Sequence, residues 1–308
     1  MTLINLLFNL SLSLLIFGIS LRVLSTSMSA FLGTRLQKAL IVLTSNSPLS
    51  ILTGAIATAF VQSSSTVNVL MVTLVNANLL NLYQAFGVVL GANIGTTVTA
   101  QIVSFNLSQY AIPMMLCGLF LFPWTNKSRI AGSSLIGLGG LFFGLNLIKQ
   151  SLWPVLAYPL TLKLLISLSE NIYLGIVLGI VFSAIIQSSS LVTTLVIALA
   201  QMQALNLQSA IAIALGSNIG TVATTLISSI GLSKEAKATA YADLLFNFLG
   251  VLFLLPFIKQ FAFIISLTSQ DPGRQVANAH TIFNVITAFL IVPFIRPLAN
   301  LARRCAGI

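Results

Sequence analysis

The sequence has 308 residues, 57% of them hydrophobic and only 6% charged, with a mean hydropathy of +1.04. So few ionisable groups cannot clothe a water-soluble core of that size, which excludes a soluble globular domain and defines an integral membrane protein. The formal net charge of +10 would point to nucleic acid in a soluble chain, but here the 14 Lys and Arg are spread through short polar stretches, as topology signals are.

Apolar runs of about twenty residues, the length needed to span a bilayer, recur from end to end. Leu3 to Leu24 is the first. Met1 to Ser20 carries no early positive charge and no small-residue cleavage site, which predicts a retained helix rather than a removed signal peptide. Within it, Leu15-Ile16-Phe17-Gly18-Ile19-Ser20-Leu21 resembles the later Leu141-Phe142-Phe143-Gly144-Leu145-Asn146-Leu147, so an internal repeat begins at the first helix. Ser25 to Ser47, with Arg35, Lys38 and Gly33, reads as an amphipathic segment or loop at one membrane face.

From Ile51 the chain is apolar again until Gln62-Ser63-Ser64-Ser65-Thr66 interrupts it. A half-helix of about a dozen residues covers roughly 20 Å, short of the roughly 30 Å hydrocarbon core. The break therefore falls inside the membrane, in a broken span or in a re-entrant hairpin returning through Val67 to Val75. Such a break is tolerated only where protein or a water-filled cavity surrounds it. Leu82 to Ser104 follows, carrying Gly91-Ala92-Asn93-Ile94-Gly95-Thr96-Thr97, and the glycines predict an interruption there too, although a small-residue face for close helix packing also accounts for them. After Ala111 to Trp124 comes a positive, Trp-flanked turn at Thr125 to Arg129, which separates two halves.

The second half repeats the first. Gln187-Ser188-Ser189-Ser190 lies within Ile172 to Ala204, and Gly216-Ser217-Asn218-Ile219-Gly220-Thr221 follows; in both halves Gln precedes the first Gly by 29 positions. Trp124, Trp153, Tyr158 and Tyr173 read as interfacial anchors. The last long apolar segments share a smaller echo, Leu245-Phe246-Asn247 and Ile282-Phe283-Asn284, each with a proline nine residues beyond the Asn. Asp243 reads as the partner of a nearby Lys or as a transport group, and His280 as a helix cap or interfacial residue rather than a proton carrier.

Between Lys38 and Lys127, and again between Glu170 and Lys234, there is no ionisable Asp, Glu, Lys, Arg or His. Both motif pairs lie in these neutral tracts. A site built from Gln62, Ser63, Ser64, Ser65, Thr66, Asn93, Thr96, Thr97, Gln187, Ser188, Ser189, Ser190, Asn218 and Thr221 therefore offers hydroxyls, amides and backbone groups. Helices starting just after the serines aim free N–H groups and positive dipole ends at an oxyanion. Carbonyls released at the preceding helix ends suit a hard cation such as sodium. An anion brought into such a site needs a counter-charge travelling with it, and the tracts lack the carboxylate or imidazole on which proton coupling relies. Sodium coupling is therefore favoured, with Arg22, Lys149, Asp243 and His280 on segments that could approach the site.

These features resemble the type II sodium-phosphate cotransporters and their bacterial relatives. The carrying residues are the two Gln-Ser-Ser-Ser stretches, the Gly-x-Asn-Ile-Gly-Thr after each, the opening Leu-Ile-Phe-Gly-Ile and Ala-His-Thr-Ile-Phe-Asn at 279 to 284. The resemblance implies sodium-driven movement of inorganic phosphate across a plasma membrane, with each serine run taking part in substrate and cation binding. Asp243 stands where relatives tend to have a His. Bacterial relatives often carry a soluble helical domain after the membrane part, and this sequence ends at Ile308.

The expected fold is an all-α integral membrane protein, one transmembrane transport domain over 1–308. It comprises two homologous, inverted repeats at about 1–124 and 130–257 and a terminal helix region at 258–308. Each repeat supplies a serine-broken re-entrant hairpin and an interrupted helix. The expected function is secondary active phosphate transport coupled to sodium by alternating access, in the cell's inner membrane. Phosphate, sodium and the lipid bilayer are the partners, with a homodimer compatible, no nucleic acid and no cofactor. The alternatives are a carrier for another oxyanion, a phosphate exporter or a passive anion channel. Cys117 and Cys305 provide no disulfide or metal spacing, and the motifs lack a nucleophile beside a base, so no enzyme is expected.

Overall fold

The computed structural model describes residues 3–44, 46–105 and 107–308; Met1 and Thr2, which open the stretch expected to be a retained helix, lie outside the described residues. Helix α1 runs unbroken over Leu3–Leu32, and α2 covers Thr34–Val42 after Gly33 turns the chain at φ 52°. The polar stretch predicted as one interfacial segment is thus divided between the end of α1 and a separate short helix. In α3 (Ser47–Val61), Asn46 caps the start by accepting from the Leu49 N–H at 3.0 Å. Then come α4 (Ser64–Asn76) and α5 (Leu82–Ser104), the latter opened by a reciprocal capping box between Asn81 and Gln84.

A short 3₁₀ turn leads into α6 (Ala111–Leu121), and a second capping box, Thr125 with Ser128, opens α7 (Asn126–Leu156) at the predicted boundary between halves. The second half continues with α8 (Pro159–Glu170), α9 (Ile172–Ile186), α10 (Ser189–Gln201) and α11 (Leu207–Ser228). Two matching units close the chain. α12 (Lys234–Leu254) passes through a 3₁₀ turn at Pro256 into α13 (Ile258–Ser266), and α14 (Pro272–Ile291) passes through one at Pro293 into α15 (Ile295–Cys305). The repeated prolines explain both turns, because each removes a helical N–H and crowds the preceding carbonyl.

Every helix or strand assigned among the described residues is helical, and six helical stretches are long and apolar enough to cross a membrane. The surface is correspondingly inverted: Phe8, Leu116, Phe253 and Phe289 face outward, while Asn68, Asn93, Asn218, Asp243, Asn247, His280 and Asn284 are buried. Trp124, Trp153 and Tyr173 are also exposed.

The interrupted helices are not found, since α5 and α11 run continuously through their Gly-x-Asn-Ile-Gly motifs. The glycines instead admit a neighbouring backbone. A Cβ on Gly91 would lie 1.9 Å from the Ile51 carbonyl oxygen, and one on Gly95 2.3 Å from that of Ala55. In the second half Gly216 and Gly220 stand equally close to the carbonyls of Ile176 and Ile180. This register sets α3 alongside α5, and α9 alongside α11, each pair running in the same direction. α1 and α7 pack together by the same device, with Gly137, Gly140 and Gly144 against Leu24, Ser20 and Phe17.

Candidate functional site

Each serine run forms the tip of a hairpin. α3 ends at Gln62 in the left-handed conformation (φ 58°, ψ 25°), and α9 ends at Gln187 in nearly the same one (φ 58°, ψ 32°). Ser63 and Ser188 are then extended, and their hydroxyls cap the returning helices by accepting from the N–H groups of Thr66 at 3.2 Å and Leu191 at 3.3 Å. α4 and α10 lead back through short polar connectors into α5 and α11, so each returns beside the long helix of its own half. Gln62 is held at its unusual backbone position by its side chain, whose amide donates to the Ala59 carbonyl and accepts from the Thr99 hydroxyl at 2.9 Å.

The two tips meet. Ser63 to Thr66 and Ser188 to Leu191 line one cleft of about 370 Å³, together with Gln62, Gln187, Thr96 and Thr221. Across it the hydroxyls of Thr96 and Ser190 approach to 3.5 Å, a direct contact between the halves. The N-termini of α4 and α10 thus converge on a common space, one wall of which is α1 at Gly18, Arg22 and Thr26. Arg22, Thr26, Thr66 and Gln187 are exposed, so the cleft is open along that rim.

Behind the serines lies a second, smaller cavity of about 10 Å³, sharing Ser64, Ser65, Ser189 and Thr221 with the cleft. Its other walls include Asn93 and Asn218 from the long helices and Asn68, Thr225, Asp243 and Asn247. Asp243 is fully enclosed and accepts hydrogen bonds from the amides of Asn68 (2.9 Å), Asn93 (3.4 Å) and Asn247 (3.0 Å) and from the Thr225 hydroxyl (3.0 Å). The predicted Lys partner is absent among the described residues; polar amides and a hydroxyl surround the carboxyl instead. His280 likewise does not cap a helix. It sits in mid-α14, buried, with Nε2 2.9 Å from the Asn218 side-chain oxygen, while the Asn218 amide donates to Asn284 at 3.2 Å.

Of the residues singled out in the sequence, Gln62, Ser63, Ser64, Ser65, Thr66, Thr96, Gln187, Ser188, Ser189, Ser190 and Thr221 line the cleft. Asn93 and Asn218 face the inner cavity. Thr97 joins neither, because its hydroxyl turns back to the Ile94 carbonyl of its own helix at 2.7 Å. Arg22, on a segment that could approach the site, does reach the cleft wall, whereas Asn68, Thr225 and Asn247 are not among the residues singled out. A signal for Asn68 exists: it lies four positions after Ser64 and three after Ser65, on the same helical face. Among the described residues no cluster of three or more His, Cys, Asp or Glu could hold a metal ion.

An apolar exterior, a polar interior and two broken helix pairs converging on one cleft define a multi-pass helical membrane protein with an internal polar site. The chain belongs to the Na+/Pi-cotransporter family, a family of transporters rather than enzymes, whose model matches residues 14–150 and 156–287. It is 28% identical over 267 residues to "Uncharacterized protein YqeW" of Bacillus subtilis (strain 168), covering 86% of this chain and 87% of that protein. It is 30% identical over 264 residues to "Putative inorganic phosphate export protein YjbB" of Escherichia coli O157:H7, covering 85% of this chain but 48% of the relative. A shorter match, 34% over 96 residues, links 29% of the chain to 14% of the human "Sodium-dependent phosphate transport protein 2B". The chain thus spans about half the length of the phosphate-export relative. No solved structure matches the chain significantly.

Proposed function

We propose that this protein moves inorganic phosphate across the plasma membrane, coupled to sodium, by alternating access around the serine-lined cleft. One observation carries the reading: two helix N-termini, each capped by a serine and one from each half, converge on the same cleft. Free N–H groups and hydroxyls there supply donors to an oxyanion, and two aligned helix dipoles add positive potential where the motif side chains bear no charge. Among the described residues Arg22 is the single ionised side chain in the cleft wall. One guanidinium does not neutralise a phosphate dianion in a confined site, so cations must enter with it. Oxygen groups at the ends of α3 and α9 are suited to sodium.

The two halves act in this scheme as inverted repeats whose re-entrant hairpins enter from opposite membrane faces. The whole chain then forms one transport domain. Net direction follows the gradients, so the relative named for phosphate export is compatible with the same machinery. The test is uptake of radiolabelled phosphate by proteoliposomes under an imposed sodium gradient, with sulfate as competitor. Saturable uptake that collapses when choline replaces sodium and resists sulfate is expected. Ser64→Leu and Ser189→Leu should abolish it while the protein still inserts; undiminished uptake in both would remove the serines from the site.

A further inference from the structure

The buried polar groups behind the cleft differ between the halves in a way that the repeat does not require. On the first half's side, Asn93 of α5 meets Asp243 of α12, and on the second half's side Asn218 of α11 meets His280 of α14. Each partner is followed four residues later by an Asn, Asn247 or Asn284, whose amide donates back to its carbonyl at 3.0 or 2.8 Å. The frames match, but the chemistry does not. Around His280 the side-chain oxygens of Asn218 and Asn284 both have partners, and the buried atom left without one is a ring nitrogen, His280 Nδ1, rather than an oxygen. Around Asp243 the side-chain oxygens of Asn68 and Asn247 are buried with no hydrogen-bond partner, and both residues line the cavity.

Three further facts converge there. The carboxyl of Asp243 accepts four side-chain hydrogen bonds, the pattern that an acceptor-only carboxylate satisfies. No basic side chain pairs with it among the described residues, and a lone buried charge in a membrane span is costly without compensation. The space beside it, about 10 Å³, is on the scale of a single water molecule and far too small for an oxyanion.

We propose that Asp243 and the side-chain oxygens of Asn68 and Asn247 form a sodium site in the inner cavity, present on one half's side only and separated from the anion cleft by the floor residues Ser64 and Ser189. Hard oxygen donors with one formal negative charge fit a small monovalent cation, and occupancy would neutralise the carboxylate and satisfy both unpartnered oxygens at once. The site deepens the sodium-coupled reading and rests on it. A cation there would lie behind the serines, adding positive potential to the cleft from the side opposite Arg22.

The test measures equilibrium binding of radiolabelled sodium to the purified full chain in detergent without phosphate, choline chloride holding ionic strength constant. The Asp243→Asn variant keeps the shape of the side chain and removes its charge. It should lose one of the sodium ions bound by the wild type, and sodium chloride should no longer raise its Tm to the wild-type extent. Asn68→Ser, which shortens one ligand and leaves the carboxylate, should weaken that ion about tenfold and keep the protein folded should the first variant fail to fold. An unchanged sodium count in Asp243→Asn, or unchanged affinity in a folded Asn68→Ser where the first variant is lost, would overturn the site. Such a result leaves sodium-dependent phosphate uptake in proteoliposomes standing, so the two readings fail separately.

Discussion

Arg22 shows what a single side chain can add to a site made of neutral groups. It lies one helical turn after Gly18 in the repeated Leu-Ile-Phe-Gly stretch, and the matching position in the second half is Ile148, so the positive charge is present once. It makes no hydrogen bond or ion pair within the described residues and stands exposed in the cleft wall, free to meet an anion. Because it is exposed, water and salt screen it, and the interaction is worth about 1 kcal/mol, or about a fivefold change in affinity. Arg22→Ala should therefore raise the phosphate concentration for half-maximal uptake about fivefold, with the larger effect at low ionic strength, and Arg22→Lys should recover most of it. The same Km in Arg22→Ala at both low and high salt would show that the guanidinium does not reach the anion. This residue could not be assigned from the motifs, because it belongs to a helix that contacts the serines only through tertiary packing. The serines, by contrast, were legible: a polar run inside an apolar segment has to be enclosed, and its duplication says that there are two.

At the scale of helices, the glycines divide what pattern can show from what it cannot. Gly91 and Gly95 fit an interrupted helix and a close helix contact equally well when read along the chain. Space decides between them: the backbone of α3 lies against these positions, and α5 remains regular through both. A side chain at Gly91 cannot be accommodated by rotamer adjustment, since the obstructing atom is the Ile51 carbonyl oxygen. Gly91→Leu should cost at least about 3 kcal/mol, at the upper end of overpacking penalties, and should lower the Tm of the detergent-purified protein or prevent its recovery. Gly231, at φ 79° with no neighbour within reach, is the contrast. Gly231→Ala there meets only the backbone penalty of a left-handed residue, about 1 to 2 kcal/mol. Equal Tm losses from the two changes would mean that packing against α3 is not what Gly91 provides. The echo of Leu-Phe-Asn and Ile-Phe-Asn was equally visible in the sequence, yet its meaning was not. Asp243 and His280 acquire partners only because α12 and α14 return to lie against the long helices of the two halves, a long-range arrangement that no local spacing encodes.

For the whole molecule, the same packing separates two bodies that alternating access would move. The α1–α7 pair is locked by three glycines of α7 that seat against α1, and Ser13 meets Ser151 across it at 2.9 Å. The hairpins, by contrast, are fastened to α5 and α11 through the Gly91 and Gly216 contacts. Between the bodies the seam is apolar: Phe17, Leu24, Leu141, Leu145 and Ile148 share one buried core with Leu191, Val192, Val196 and Ile197 of α10, and at the cleft Gly18 of α1 faces the tip of Leu191, where an added Cβ would sit at 3.3 Å. A contact of this kind, side-chain end against an open helix face, can slide without breaking hydrogen bonds. If the serine-bearing body shifts against the α1–α7 pair during transport, tying these positions together must stop the cycle. In a background carrying Cys117→Ser and Cys305→Ser, which removes the two exposed thiols, the pair Gly18→Cys with Leu191→Cys should oxidise to a disulfide. Phosphate uptake should fall to the level of empty liposomes on oxidation and return on reduction, while either single substitution is indifferent to oxidant. Full uptake by completely cross-linked protein would show that the two bodies keep their relation throughout the cycle, and motion would then have to be confined to the hairpin tips.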